Sequence, residues 1–321
     1  MKKFSLIFSI VLFVSASYGQ VYDNVEAGTD TTETEIGVLD AIRPPIDGIH
    51  EIHPYLDSYK PMNLAYIRID DILYSKLIWS VIDLREKINH PLYFPTEQKG
   101  NWKSLMQAIL DATTDSTEAN PNPLRVYNDE YLTMPYAMEG LKNNMGQSYP
   151  EPIVNDWGEQ IGEQIIFVPW GPREVFQYLL KDQYIIDKQR SVMEPRLLAV
   201  APMFWFEPVN PAATYQEEES YDDDMPAVPL RRWRRYGWLY FQEMRPMLAT
   251  TNVFNDQNNA QRRTYDDIFA QRRFSSYIKA EEGVQNNRQI SDYTVNGMDQ
   301  RLEADAIKEK IRYKEHEMWE F

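Results

Sequence analysis

The stretch "KLIWSVIDLREKINHPLYFP" (residues 76–95) decides how the centre of this sequence is interpreted. Its apolar residues recur at intervals of three and four, which is typical of a helix with a broad apolar surface. Asp70 or Asp71 can cap the start of this helix, and Pro91 ends it near Asn89. The pattern therefore predicts a buried helix followed by an extended segment. The residues expected in its core are Leu77, Ile78, Trp79, Val81, Leu84, Ile88 and Pro91.

A second stretch, "REVFQYLLKDQYIIDKQRSVM" (residues 173–193), has a similar pattern and predicts a second long helix. Pro172 is tolerated in the first turn of such a helix, and Pro195 stops it before the strand-like "RLLAVAPMFWF". Several positions in residues 64–95 match residues 165–206 at one constant offset. A duplication into two related halves would explain this match, and so would chance or a shared way of ending a helix.

The N-terminal sequence predicts export. Residues 1–19 combine Lys2 and Lys3 with a short apolar run and small residues, which is typical of a secretory signal peptide. Residues 20–62 are acidic and then punctuated by prolines, and they predict an extended arm that is disordered at its start. The chain has no cysteine, so neither a disulfide nor a lipid-carrying cysteine is available. We therefore expect an exported protein that reaches a membrane only through a partner.

Residues 63–297 predict a core of mixed helices and short strands. Within it, "TYDDIFAQRRFSSYIKAEEG" (residues 264–283) predicts a helix that starts with a capping box of Thr264 and Asp267. A last helix is expected over residues 298–321. The predicted fold class is α+β: long helices that end at prolines and are followed by short strands, with an extended N-terminal arm and a C-terminal amphipathic helix.

The last helix has a narrow apolar stripe on an otherwise highly charged surface. Such a helix either docks on its own core or reaches to a partner, and the pattern leaves both interpretations open. Its candidate partner contacts are Leu302, Ile307, Ile311 and Met318.

The charge of the chain excludes some classes of partner. The formal net charge is −16, so the surface repels nucleic acid and anionic lipid headgroups. The 21 Tyr, 8 Trp and 13 Phe are the kind of residue that protein interfaces favour. One basic run stands out and is a candidate partner contact, although the acidic "EEESYDDD" at residues 217–224 could instead neutralise it. This run consists of Arg231, Arg232, Trp233, Arg234 and Arg235.

No pattern in the sequence predicts catalysis. His50 and His53 are three residues apart, but no further histidine or cysteine completes a zinc site. Residues 217–224 could hold calcium, yet they lack the alternating ligands and the glycine of a calcium loop, and a solvated acidic loop is the simpler interpretation. The four histidines lie in no hydrolase motif, and no glycine-rich phosphate loop is present. We therefore expect no enzyme, no metal and no cofactor.

Three motifs carry a resemblance to a known family. "SKLIWSVIDLREKINHPLYFPT", "DKQRSVMEPRLLAVAP" and "RRFSSYI", together with the "RPP" of the arm, resemble the GldN/PorN family of Bacteroidetes. These proteins are components of gliding motility and type IX secretion. The resemblance runs from about Arg43 to the final helix.

The resemblance implies a periplasmic, non-enzymatic structural protein. Such a protein self-associates and assembles with a GldK/PorK lipoprotein into rings at the outer membrane, and it contacts the periplasmic part of the GldL/GldM motor. It implies no catalytic residue and no nucleic acid as a partner. Two other classes stay open: a glycan-binding or glycan-processing periplasmic protein that uses its aromatic residues to stack on sugars, and an independent solute-binding or chaperone-like protein.

Overall fold

A seven-stranded antiparallel sheet organises the protein in the computed structural model, which describes residues 59–99, 102–113, 123–154, 160–206, 232–255 and 263–317. The described residues belong to one compact unit, Tyr55–Phe321. The strands are β1 Ile72–Asp83, β2 Val126–Tyr127, β3 Gly146–Val154, β4 Gln160–Pro169, β5 Val175–Asp187, β6 Val192–Phe206, β7 Arg232–Arg235, β8 Trp238–Tyr240 and β9 Tyr277–Glu281. The strand order in the sheet is β2-β8-β6-β5-β1-β9, β7 pairs with β6, and β3 and β4 form a separate hairpin.

The helices are short except for the last one. Among the described residues, no helix is both long enough and apolar enough to cross a membrane. The helices are α1 His90–Tyr93, α2 Leu105–Thr113, α3 Met138–Asn144, α4 Phe241–Thr250, α5 Tyr265–Ala270 and α6 Gly297–Glu317.

The predicted α+β fold with two long helices is wrong, because both stretches are central strands. β1 and β5 pair antiparallel along almost their whole length, with Val81 opposite Leu179. Residues 78–82 of β1 and 178–182 of β5 are buried on both faces of the sheet, so the alternation of apolar and polar residues that is typical of a strand is lost there. The two prolines that were expected to end long helices do not do so: Pro91 lies in the short α1, and Pro195 lies inside β6.

Two smaller elements also differ from the prediction, while one cap agrees with it. The helix expected over residues 264–283 is α5 followed by the separate strand β9. At its start the predicted capping box is present: the Asp267 N–H donates to Thr264 Oγ1 at 3.3 Å, and the Thr264 N–H donates to Asp267 Oδ2 at 3.1 Å. The apolar run "LAYIRI" (residues 64–69) predicts a short strand, and this prediction is wrong: these residues form no strand and lead into a 3-10 turn at Ile69–Asp71. The duplication that would relate residues 64–95 to residues 165–206 stays a prediction.

One face of the sheet, here called the helical face, carries the main core. Even-numbered residues of β1 point to this face, where Ile82 joins Tyr178 and Leu180 of β5. Helices α2, α4 and α5 cover it with apolar side chains, which explains why these short segments are helical: each has one face to bury. Their main contributors are Leu105, Met106, Ile109, Met244, Leu248, Ile268 and Phe269.

The opposite face, here called the loop face, is covered in a different way. Trp79 and Val81 of β1 point to it, and the loop after β2 lies over them through Leu132. Asp129 shapes this loop by accepting hydrogen bonds from the Met134 N–H and from the Thr133 hydroxyl, which lower the pKa of Asp129 to about 2. The loop face is therefore closed by a hydrogen-bonded loop rather than by a helix.

Lys181 is buried in the middle of the loop face. Its Nζ donates to the Glu130 carbonyl at 2.8 Å and lies 5.5 Å and 5.0 Å from the ring centroids of Trp79 and Tyr131. Burial lowers the pKa of this amine, and the carbonyl and the two ring faces compensate its charge. Lys181 thus holds the loop after β2 against the sheet.

Candidate interaction surface

Six aromatic rings follow one another across the surface from α1 to β7. The ring centroids of Tyr93 and Phe176 are 6.2 Å apart, those of Phe176 and Trp205 are 5.3 Å apart, and those of Trp205 and Trp233 are 5.6 Å apart. His90 and Tyr93 each contact Phe94 at the other end. We call this set the aromatic row: His90, Tyr93, Phe94, Phe176, Trp205 and Trp233.

Strand register brings the aromatic row together. Trp205 and Trp233 are directly opposite each other on β6 and β7, and their rings stack with an interplanar angle of 13°. Phe176 lies at an irregularity between β5 and β6, which places its ring against Trp205. At the ends of the row, Phe94 is 44% exposed and Trp233 is 42% exposed. The row is therefore a half-open apolar surface, and Tyr93 also joins it to the main core.

The four residues of β7 are all exposed and three of them are arginines. The Arg235 guanidinium lies 5.7 Å from the Trp238 ring and donates to the Asn128 carbonyl at 3.0 Å. The Arg234 guanidinium lies 5.7 Å from the Trp170 ring. The Arg232 side chain is exposed at the start of β7. Together with the aromatic row, these arginines form what we call the aromatic–arginine surface, a basic area on a chain with net charge −16.

The structure brings together most of the predicted basic run. Arg232, Trp233, Arg234 and Arg235 form β7 itself, so their side chains alternate between the two faces of the sheet. Arg231 lies outside the described residues, as do residues 217–224, so their mutual neutralisation stays a prediction. His50, His53 and residues 1–19 also lie outside them.

The C-terminal helix α6 docks on its own sheet. Ile307 and Ile311 are buried against Ile78 on the helical face, together with Ala304, Ile290 and Ile278. Ile307 and Ile311 therefore form the side of α6 that faces the sheet, and a contact of these two side chains with a partner stays a prediction. Leu302 is 60% exposed, and Met318 lies outside the described residues.

We expect Ile307→Asp to undock α6 and to lower the free energy of unfolding by more than ~2 kcal/mol, because it places an unpaired carboxylate in an apolar contact. Leu302→Asp is the matched control on the same helix and should change stability by less than ~0.5 kcal/mol. Hydrogen exchange of residues 297–317 and chemical denaturation measure both effects. Equal effects of the two variants would show that α6 does not dock through Ile307.

A groove separates part of α6 from the sheet. Its volume is about 1030 Å³, and Ile78, Ile278 and Ile311 contribute to its lining. The lining carries both signs of charge, including Arg301 and Asp305, so it favours no single charged ligand. The groove shows that α6 covers this end of the helical face incompletely.

The expected core residues of the opening stretch lie in different environments. Ile78, Trp79, Val81 and Leu84 are buried, and Leu77 packs partly buried on the loop face. The placement of Ile88 in the core is wrong, because the side chain is 58% exposed.

A 3-10 turn explains the exposure of Ile88. After β1 the turn Lys87–Asn89 leads the chain away from the sheet and buries Asn89 instead. The Asn89 amide donates to the carbonyls of Asp83 and Ser275 at 2.7 Å and 3.0 Å. Pro91 follows it, half-buried.

Sequence patterns could indicate only part of the aromatic–arginine surface. The run of arginines around Trp233 is visible as a local basic cluster. Tyr93, Phe176 and Trp205 come from separate strands and a short helix, and only the register of β5, β6 and β7 joins them. The high content of aromatic residues was the one general signal. Among the described residues, no group of three or more His, Cys, Asp and Glu side chains is placed to hold a metal ion.

Comparison with known proteins identifies a family. No curated protein matches this chain. The sequence model of the family described as "Gliding motility associated protein GldN" matches residues 67–320, which include every strand and helix from β1 to α6. The match covers well over half of the chain. The chain therefore belongs to the GldN family of gliding motility associated proteins.

Proposed function

We propose that this protein is a non-enzymatic, periplasmic structural component of the gliding and type IX secretion machinery. In this proposal it assembles, with other copies of itself and a lipoprotein of the GldK/PorK type, into rings at the outer membrane, and it contacts the periplasmic part of a GldL/GldM-type motor. The GldN family supports a role in the gliding machinery. The single structural observation that supports assembly is the aromatic–arginine surface.

The composition of this surface is that of a protein contact. Tryptophan, tyrosine and arginine are enriched among residues that dominate binding energy, because they combine a large apolar area with polar groups. Trp205 and Trp233 stack on each other and keep their rings in one orientation, so little side-chain freedom is lost on binding. Arg232 and Arg235 at the same strand supply charge. An acidic partner surface would complement them.

Charge also supports attachment through a partner. A chain with net charge −16 gains no attraction from anionic lipid headgroups. In a ring each subunit makes several weak contacts at the same time, and together these contacts retain the subunit more firmly than any one of them would. An anchored lipoprotein partner therefore accounts for membrane association without any lipid contact by this chain.

We expect the double variant Arg232→Glu, Trp233→Ala to move from the outer-membrane fraction to the soluble periplasmic fraction. The substitution removes an exposed ring and reverses a charge at the proposed contact, while both side chains are outside the core. Immunoblots of fractionated cells measure the distribution. Tyr66→Ala, at a side chain that is 87% exposed and outside the surface, is the matched control and should stay in the membrane fraction.

The same fractionation in a strain without the lipoprotein tests the anchor. We expect the wild-type chain to become soluble there. Retention in the membrane pellet would contradict attachment through the lipoprotein. Retention of the double variant in the normal strain would show that the aromatic–arginine surface is not the contact.

The aromatic row also favours a second candidate, a glycan-binding protein. Half-exposed rings in a line offer faces and edges for sugar rings. This function predicts that the purified protein sediments with peptidoglycan sacculi in the absence of any other protein, and that Trp233→Ala reduces the bound fraction. Sedimentation at background level would exclude it.

A further inference from the structure

Among the described residues, β7 is an edge strand with one open side. It pairs with β6, and no other described strand pairs with it. Its four residues, Arg232–Arg235, are all exposed. An edge strand presents unpaired N–H and C=O groups, which are a template for a further strand.

The register shows which backbone groups are open. The Tyr236 N–H donates to the Pro202 carbonyl at 3.0 Å, just beyond the paired residues Met203 and Arg235. Hydrogen-bonded and non-hydrogen-bonded pairs alternate in an antiparallel ladder, so Arg234 and Arg232 also direct their backbone groups to β6. The N–H and C=O groups of Trp233 and Arg235 therefore point to the open side. They are two residues apart, the spacing at which an added strand would bond.

The side chains of β7 restrict what can be added. Arg232 and Arg234 are opposite Phe206 and Phe204, while Trp233 and Arg235 are opposite Trp205 and Met203. A new strand would therefore meet an arginine on both faces of the sheet and a tryptophan on one. Carboxylates opposite arginines and an apolar residue opposite the tryptophan are the favourable cross-strand pairs.

Pairing of β7 with the β7 of a second copy is disfavoured by the same side chains. Such a pair would place the arginines of the two strands opposite each other, and like charges directly opposite are destabilising. The arginines of β7 thus repel a second copy of β7 and attract the carboxylates of an acidic segment. The side chains of β7 therefore favour a different strand that carries carboxylates.

We propose that β7 binds an acidic, extended segment of a partner protein by β-strand addition, in which the segment becomes a new edge strand of the sheet. This inference rests on the proposed function, because it names the chemistry of the partner at the aromatic–arginine surface. Main-chain hydrogen bonds to Trp233 and Arg235 hold the segment, and carboxylates facing Arg232, Arg234 and Arg235 select it. The ring of Trp233 contacts an apolar side chain of the segment.

Fluorescence anisotropy with the full chain tests this binding mode. The probe is a fluorescein-labelled peptide of sequence EEVEEVEE, in which the acidic and apolar positions match the order on β7. We expect saturable binding that weakens as salt is raised, because the charges are exposed. Arg232→Gln with Arg235→Gln should raise the Kd at least about tenfold, with an unchanged unfolding midpoint that shows the variant is folded.

Two isomers of the probe separate strand addition from simple charge attraction. Each carries backbone N-methyl groups at alternate residues, one set at even and one at odd positions. In an added strand only one set of N–H groups faces β7, so one isomer should lose binding and the other should keep it. Equal binding of both isomers, or no binding of the unmodified peptide, would overturn the proposal.

Anionic lipid is the competing occupant. Vesicles of phosphatidylglycerol that bind the chain with the same dependence on Arg232 and Arg235 would also overturn the proposal. The fractionation described above is independent of these measurements. If the peptide does not bind but the Arg232→Glu, Trp233→Ala chain still leaves the membrane, strand addition fails and the proposed function stands.

Discussion

Replacing Trp79 with alanine is expected to lower the free energy of unfolding by ~3–5 kcal/mol. Trp79 is 6% exposed on the loop face, where it packs with Val81, Leu179 and Ala280. Its ring also contacts the Lys181 amine, so the truncation leaves both a cavity and a less compensated buried charge. Two kinds of destabilisation thus arise from one substitution.

The matched control is Trp79→Phe. The Trp79 Nε1 has no hydrogen-bond partner among the described residues, so phenylalanine loses no such bond and keeps a ring under Lys181. We expect a loss of less than half that of the alanine variant. Thermal and urea unfolding measure both. An unchanged midpoint for Trp79→Ala would show that the loop face is not part of the core.

Replacing Arg245 with alanine is expected to cost ~3–5 kcal/mol. Arg245 in α4 donates two hydrogen bonds to the Asp266 carboxylate in α5, at 2.9 Å and 3.1 Å, and both side chains are only 8% exposed. The substitution leaves the carboxylate buried without its partner, and that desolvated charge rather than the lost pair dominates the cost. The pair connects two of the helices on the helical face.

A double replacement tests this reasoning. Arg245→Met with Asp266→Leu removes both charges, and we expect it to be more stable than Arg245→Ala alone. Arg312→Ala is the control: its pair with Glu309 has side chains 67% and 65% exposed, and such a pair contributes less than ~1 kcal/mol. Urea denaturation measures the free energy of unfolding of all three variants. A double variant less stable than the single one would show that the pair is favourable in itself.

The helix–strand error in residues 76–95 has a physical origin. A strand that is buried on one face alternates apolar and polar residues, but β1 has helices on one side and a loop on the other. Ile78, Trp79, Val81 and Ile82 are therefore all apolar, and helical spacing appears within a continuous apolar run. β-branched and aromatic residues favour strands, and this composition was the better indicator.

Local chemistry was predictable where it involves neighbouring residues. The capping box of Thr264 and Asp267 depends on two residues three positions apart, so the sequence contains all of it. The aromatic–arginine surface is different in kind. The arginines of β7 are contiguous and could be identified, but Phe176 and Trp205 join them only through the antiparallel register of three strands. Because register depends on how all the strands of the sheet pair, no local sequence pattern predicts it.

The position of β9 has a consequence for how the chain acquires its structure. β9 lies beside β1 in the sheet, and the Leu77 N–H donates to the Glu282 carboxylate across a separation of 205 residues. Pairing of such distant segments is slow, because a long loop must close before any contact forms. Until synthesis has passed residue 281, one side of the apolar β1 has no partner, and unpaired apolar strands aggregate. We therefore expect the yield of native protein to fall when the pairing of β9 with β1 is delayed.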